Sequence, residues 1–174
     1  MKSKSLLSVV LLILLGNGLV GCFNSNVDQG LIVPSELLTT EKSFPNDFFE
    51  IAEQGFIVSK VTTQSDFNKQ WEFFGLSDNP AQIDWKNHVV IFLGTGESGT
   101  CPMEFQFVDL NEEKTKMTIH LKEKSKGACT DDFTPRTIVL SVNAKEISNV
   151  SLVEINRSGG SNLINPVLEF LESK

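Results

Sequence analysis

Alternation is clearest in the middle of the chain. In TKMTIHLKEK, residues 115–124, Met117, Ile119 and Leu121 fall on one face and Thr118, His120 and Lys122 on the other. This is the period-two pattern of a half-buried strand. MEFQFVDL, 103–110, sets Met103, Phe105 and Phe107 against Glu104 and Gln106, and NEEK, 111–114, is the turn that joins the two into a hairpin. NHVVIFLG, 87–94, is an unbroken apolar run, as a central strand buried on both faces requires. GFIVSKVTT (55–63), PRTIVLSV (135–142) and NVSLVEINR (149–157) are further strands. Helical spacing occurs in TQSDFNKQWEFFG, 63–75, where Phe67, Trp71 and Phe74 share one face. Thr63 or Ser65 can cap this helix, Asp66 suits its positive end, and Gly75 suits the position after it. In NPVLEFLESK, 165–174, Asn165 as N-cap and Pro166 behind it predict a short closing helix. Residues 76–86 and 158–161 read as loops.

The order is strand, helix, five strands, helix, and the short links favour antiparallel pairing. The expected fold is therefore α+β. It is mainly an antiparallel sheet or sandwich of about six strands, with one helix near the start and one at the C-terminus, in a single globular domain over 48–174. Residues 22–47 carry Asn, Ser, Asp, Gly and two prolines without steady periodicity. They read as a tether, the alternative being an edge strand at Leu31–Val33.

The start of the chain changes the setting. Lys2 and Lys4 precede an apolar run, 6–15, that is too short to span a bilayer, and Gly16, Asn17 and Gly18 follow it. This is the layout of an export signal, here 1–21. LVGC, Leu19 to Cys22, resembles the bacterial lipobox. The resemblance implies cleavage before Cys22 and a diacylglycerol on its sulfur, with further acylation (palmitate, for example) of the new amino terminus. The expected location is the outer side of a cell membrane, held by lipid, with the outer membrane as the alternative in a two-membrane envelope. All 22 acidic residues and 13 of the 15 basic ones lie beyond the leader, so the remaining chain carries a net charge near −9. That excludes a nucleic-acid binder, which needs a basic footprint.

Chemistry is sparse. GTGESGTC, 94–101, spells G-x-G-x-x-G after a strand. A pyrophosphate cradle needs a helix directly behind the glycines, and here Pro102 and a strand follow. No Gly-Lys-Ser/Thr completes a P-loop. Thr100 stands where a nucleophile elbow around Ser98 would need glycine. Apart from Cys22, the exported chain has two cysteines, Cys101 and Cys129, an even count that predicts a disulfide between the two ends of the hairpin. The rivals are a Cys101 nucleophile with His88 or His120 as base, and a metal site whose spacing matches no zinc pattern. Asp131 and Asp132, brought near Glu97 by the bridge, are three carboxylates of a candidate calcium loop, where six to eight oxygens are needed. Thr95, Glu97, Ser98, Asp131 and Asp132 thus mark a possible binding loop. Trp71 reads as core, and Trp85 as a partly buried cover whose indole N–H needs a partner. No cofactor is expected.

TTQSDFNKQWEFF, IDWKNHVVIFLGTGESGT and FTPRTIVLSV together resemble the C-terminal domain of the PrcB type, a bacterial secreted family associated with stabilising a surface protease complex. The likeness runs from about 57 to 142. The chain departs from the family in having no tyrosine and in carrying ESGTCP where the family has a Thr-Gly-Gly-Tyr-like loop. The resemblance implies a non-enzymatic domain that binds a partner. The expected function is a membrane-anchored lipoprotein with a non-catalytic binding or protein-interaction domain, its partner an envelope or surface protein. The alternatives are an enzyme with an unrecognised site and a structural subunit of an envelope complex.

Overall fold

The structure is a computed structural model that describes residues 30–77, 80–124, 127–158 and 165–171. The leader, Cys22 and residues 23–29 lie outside this set, as do 159–161 of the glycine-rich loop. Two sheets face each other. The first is built from β1 (Leu31–Val33), β5 (Met103–Leu110), β6 (Lys116–Glu123), β8 (Leu152–Ser158) and β9 (Val167–Glu169), side by side in the order β1-β5-β6-β8-β9. The second is built from β2 (Ser35–Glu41), β7 (Thr134–Asn143), β4 (His88–Glu97) and β3 (Phe56–Val61), in the order β2-β7-β4-β3. The described helices are a single turn, α1 (Phe48–Ile51), and α2 (Gln64–Phe73).

Side-chain direction on β4 organises the interior. Val89, Ile91 and Leu93 point between the sheets and pack with Met117, Ile119 and Leu121 of β6 and Ile138, Leu140 and Val142 of β7. Val90 and Phe92 point the other way, against Phe67, Trp71 and Phe74 of α2 and its C-cap. Burial on both faces is the reason 89–93 shows no alternation. α2 starts where Thr63 Oγ1 accepts the Asp66 N–H at 3.2 Å, and ends where Gly75 takes φ +66°. Trp85 covers the edge of this layer, its indole N–H donating to Gln64 Oε1 at 3.0 Å.

The α+β expectation is overturned. The chain is a mostly β sandwich with a helical cover on one sheet, and residues 167–169 are a strand rather than part of a closing helix. In β9 Val167 is exposed, Leu168 buried and Glu169 exposed, a period of two that a ten-residue window cannot separate from a helix. Two further departures share one cause, that the chain passes between sheets. β1 and β2 are one extended run broken at Pro34, paired first to β5 and then to β7. The sheet therefore begins inside the stretch read as tether, at the Leu31–Val33 edge strand that was its alternative reading. A bulge between Leu37 and Thr39 removes the alternation that would have announced it. β6 and β8 pair in parallel, because β7 between them in sequence has crossed to the other sheet.

The same device closes the sandwich. Pro34 carries one border strand from sheet to sheet. Beyond β9, the Leu171 N–H donates to Val58 O at 2.8 Å and Leu171 bridges to Ser59 of β3. A border that continues into the opposite sheet leaves little open edge for another chain to pair with.

Candidate functional site

β4 ends in the glycine-bearing stretch, and the strand runs through Glu97. Thr95 and Glu97 continue the inward-facing row and are buried, while Gly94 and Gly96 lie on the helix-covered face. Each glycine makes room for a particular group. A Cβ on Gly94 would lie 3.0 Å from Phe74 Cε1, and one on Gly99 would lie 2.5 Å from Asp132 Oδ2. A Cβ on Gly96 would fall inside the ring of Phe133, against Cε2 and Cζ. The G-x-G-x-x-G pattern is thus a seat for two aromatic rings and a carboxylate, with no phosphate geometry.

The loops beyond β4 are tied together. Cys101 and Cys129 are bonded, S–S 2.07 Å with Cα atoms 5.5 Å apart. Around the bridge, Thr130 N–H donates to Thr100 Oγ1 at 2.9 Å, and Ser98 and Thr100 hydroxyls each lie 3.1 Å from Thr130 Oγ1. Asp132 accepts the Gly99 N–H at 3.0 Å and the Thr130 hydroxyl. These bonds favour the carboxylate and hold Asp132 below the ordinary aspartate value.

Thr95, Glu97, Ser98, Asp131 and Asp132 do not converge. Thr95 Oγ1 donates to Gly55 O at 3.3 Å, inside the sandwich. Glu97 is 4% exposed and fully engaged: Oε1 accepts Arg136 Nε–H at 2.9 Å and Nη2–H, and Oε2 accepts the Met103 N–H at 2.7 Å. Arg136 also donates from Nη1 to Thr40 Oγ1 at 3.2 Å. This is a strut from β4 and β7 to β5 and β2, not half of a calcium site. Asp132 spends its oxygens on the loop, and Asp131 is exposed.

The other chemical candidates also separate. Among the described residues, the grouping of metal-type ligand atoms is Cys101, Glu123 and Cys129, whose two sulfurs are bonded to each other and so are not thiolates. For the same reason Cys101 has no nucleophile to offer. His88 stands at the far end of β4 from Cys101. His120 lies on the outer face of the first sheet, its Nε2 2.9 Å from Asp109 Oδ2 and its ring stacked on Phe107 at 4.1 Å. Asp109 and His120 line a shallow cavity of about 400 Å³ with Lys116, Thr118 and Glu154. Lys116 and Glu154 pair with each other there.

What the glycine seat does present is an aromatic cluster. Phe133, resting on Gly96, meets Phe49 at 5.3 Å and Phe44 and Phe48 at 6.0 Å, and Phe44 stacks on Phe48 at 4.2 Å. Phe48 is buried and roots the cluster in the core, but Phe49 is 74% exposed and Phe133 51%. Sequence reading missed all four rings. The signal was FPNDFF, 44–49, three phenylalanines in six residues at the edge of a stretch read as tether. No protein-family model matches the chain, and neither does any curated protein or any solved structure.

Proposed function

We propose that the chain is a lipid-anchored extracytoplasmic protein whose sandwich binds a protein partner without catalysis. The observation that carries the reading is the exposed Phe49–Phe133 surface, held in place by the bridged loops. Aromatic side chains bring large, rigid contact area at small entropic cost and are enriched where proteins meet. Phe133 packs on Gly96 with one face, yet it and Phe49 keep most of their surface in water on a braced scaffold. Of the carboxylates at this end, Glu97 is engaged by Arg136 between the sheets and Asp132 by the backbone of the bridged loop. The resemblance to the PrcB-type domain points the same way, to a partner-binding module. The lipobox supplies the anchor, since two or more acyl chains hold a protein stably where one does not.

Two measurements bear on this. Cys22→Ala moves the protein from the membrane to the soluble fraction and abolishes lipid labelling; retention in the membrane contradicts the anchor. A photo-crosslinking phenylalanine analogue at Phe49 gives a discrete protein adduct in cells, whereas the same analogue at Lys122, on the outer face of the other sheet, gives none. Equal adducts at both positions, or none at Phe49, contradict the binding surface.

A further inference from the structure

We propose that the aromatic surface points away from the bilayer and receives a cationic segment of its partner, an apolar side chain flanked by lysine or arginine. This rests on the anchored binding-module reading above.

Orientation follows from where the chain enters. Gly30 precedes Leu31, which pairs with Leu110 at the far end of β5, and the β1–β2 run climbs from there along the sandwich to Glu41. The aromatic cluster lies at the other end, where Thr134 pairs with Glu97 and Phe133 sits beside it. β4 spans this length with 10 residues, about 30 Å at roughly 3.3 Å per residue. Between Cys22 and Gly30 there are seven residues, a link that spans at most about 29 Å when fully extended. The tether enters at one end of the sandwich and the acidic segments that carry the rings lie at the other, so repulsion from anionic headgroups favours the orientation in which the rings face away from the bilayer.

Charge selects the occupant. The two segments that carry the rings, 42–53 and 129–134, hold five carboxylates, Asp47, Glu50, Glu53, Asp131 and Asp132, against one ammonium, Lys42. Of these, Glu50, Glu53, Asp131 and Asp132 are exposed. Apolar rings in an acidic rim repel anionic lipid and repel a second copy of the same face. They match a segment with the inverse pattern, its apolar group on Phe49 and Phe133 and its cations at the rim.

The adduct formed through the crosslinker at Phe49 is digested and the attached partner peptide sequenced. The expected peptide has an apolar or aromatic residue with Lys or Arg on both sides. Made synthetically, that peptide binds the folded domain and weakens as salt is raised. It binds the triple variant Glu50→Gln, Glu53→Gln, Asp131→Asn about tenfold more weakly, with a flatter salt dependence. Asp132 is left intact because it holds the loop. A partner peptide that is neutral or acidic, or an affinity indifferent to salt and to the triple variant, overturns the cationic partner and leaves the binding-module reading standing. An adduct to lipid or to a second copy overturns the proposed orientation and partner together. No adduct at all overturns the binding surface itself.

Discussion

Asp132 is an exposed aspartate with a fixed task. Its carboxylate accepts the Gly99 N–H and the Thr130 hydroxyl, which join the loop after β4 to the loop before β7, and both bonds favour the charged form. The folded carboxyl is therefore held below the 3.8 of an unperturbed aspartate. A group whose folded value is depressed stabilises the fold fully above its unfolded value, and loses that contribution as pH falls through the folded one. Acidification below about 4 should thus loosen the 98–101 and 129–133 loops before it touches the sheets. In an NMR titration the Gly99 amide shift should follow a midpoint below 3.8, and Asp132→Asn should abolish that titration. A Gly99 amide indifferent to pH, or one with an ordinary aspartate midpoint, contradicts the assignment. The same residue shows what a sequence conceals: Asp131 and Asp132 are alike in a string, and only the fold turns one of them toward Gly99.

At the scale of elements, legibility tracked how many neighbours a segment has. β4, β6 and α2 were readable because each owes its pattern to its own faces: β4 covered twice, β6 once, and α2 on the side of Phe67 and Trp71. Of the border strands only Leu31–Val33 was glimpsed, as an alternative to a tether, because their pattern answers to two sheets in succession. Pro34 and the bulge at Leu37/Thr39 break β1–β2, and the three residues of β9 offer only one buried side chain, Leu168. The aromatic site was lost for a related reason. Phe44, Phe48 and Phe49 have no period because they surround Phe133, a residue distant in sequence. The strand at 167–169 fixes which side chain is buried. Leu168→Ala should cost about 2–4 kcal/mol in urea unfolding, and Val167→Ala next to it less than about 0.5 kcal/mol. Comparable losses at the two adjacent positions contradict the strand, whose side chains must alternate between core and solvent.

Across the whole molecule, the two sheets meet a shared problem at the end that carries the candidate surface. β2 pairs with β7 and β1 with β5, so from Met103 to Phe107 β5 has no strand partner on the side away from β6 among the described residues. Glu97 and Arg136 fill that gap. The carboxylate takes the Met103 N–H that a neighbouring strand would have taken, and the guanidinium reaches Thr40 on β2. The pair is buried, so both charges have left water and depend on each other. Removing one partner strands the other: Glu97→Leu or Arg136→Met should each cost about 3–5 kcal/mol. Replacing both, as Glu97→Leu with Arg136→Met, should recover most of that loss, because an apolar pair of similar volume needs no compensation beyond the Met103 N–H. A double-mutant cycle by chemical denaturation measures the coupling. If the losses simply add, the two residues act separately and the strut does not exist. If they couple, the end of the sandwich that presents Phe49 and Phe133 is fixed to both sheets by one ion pair, and the single variants should also weaken capture by the crosslinker at Phe49 while leaving the bond between Cys101 and Cys129 intact.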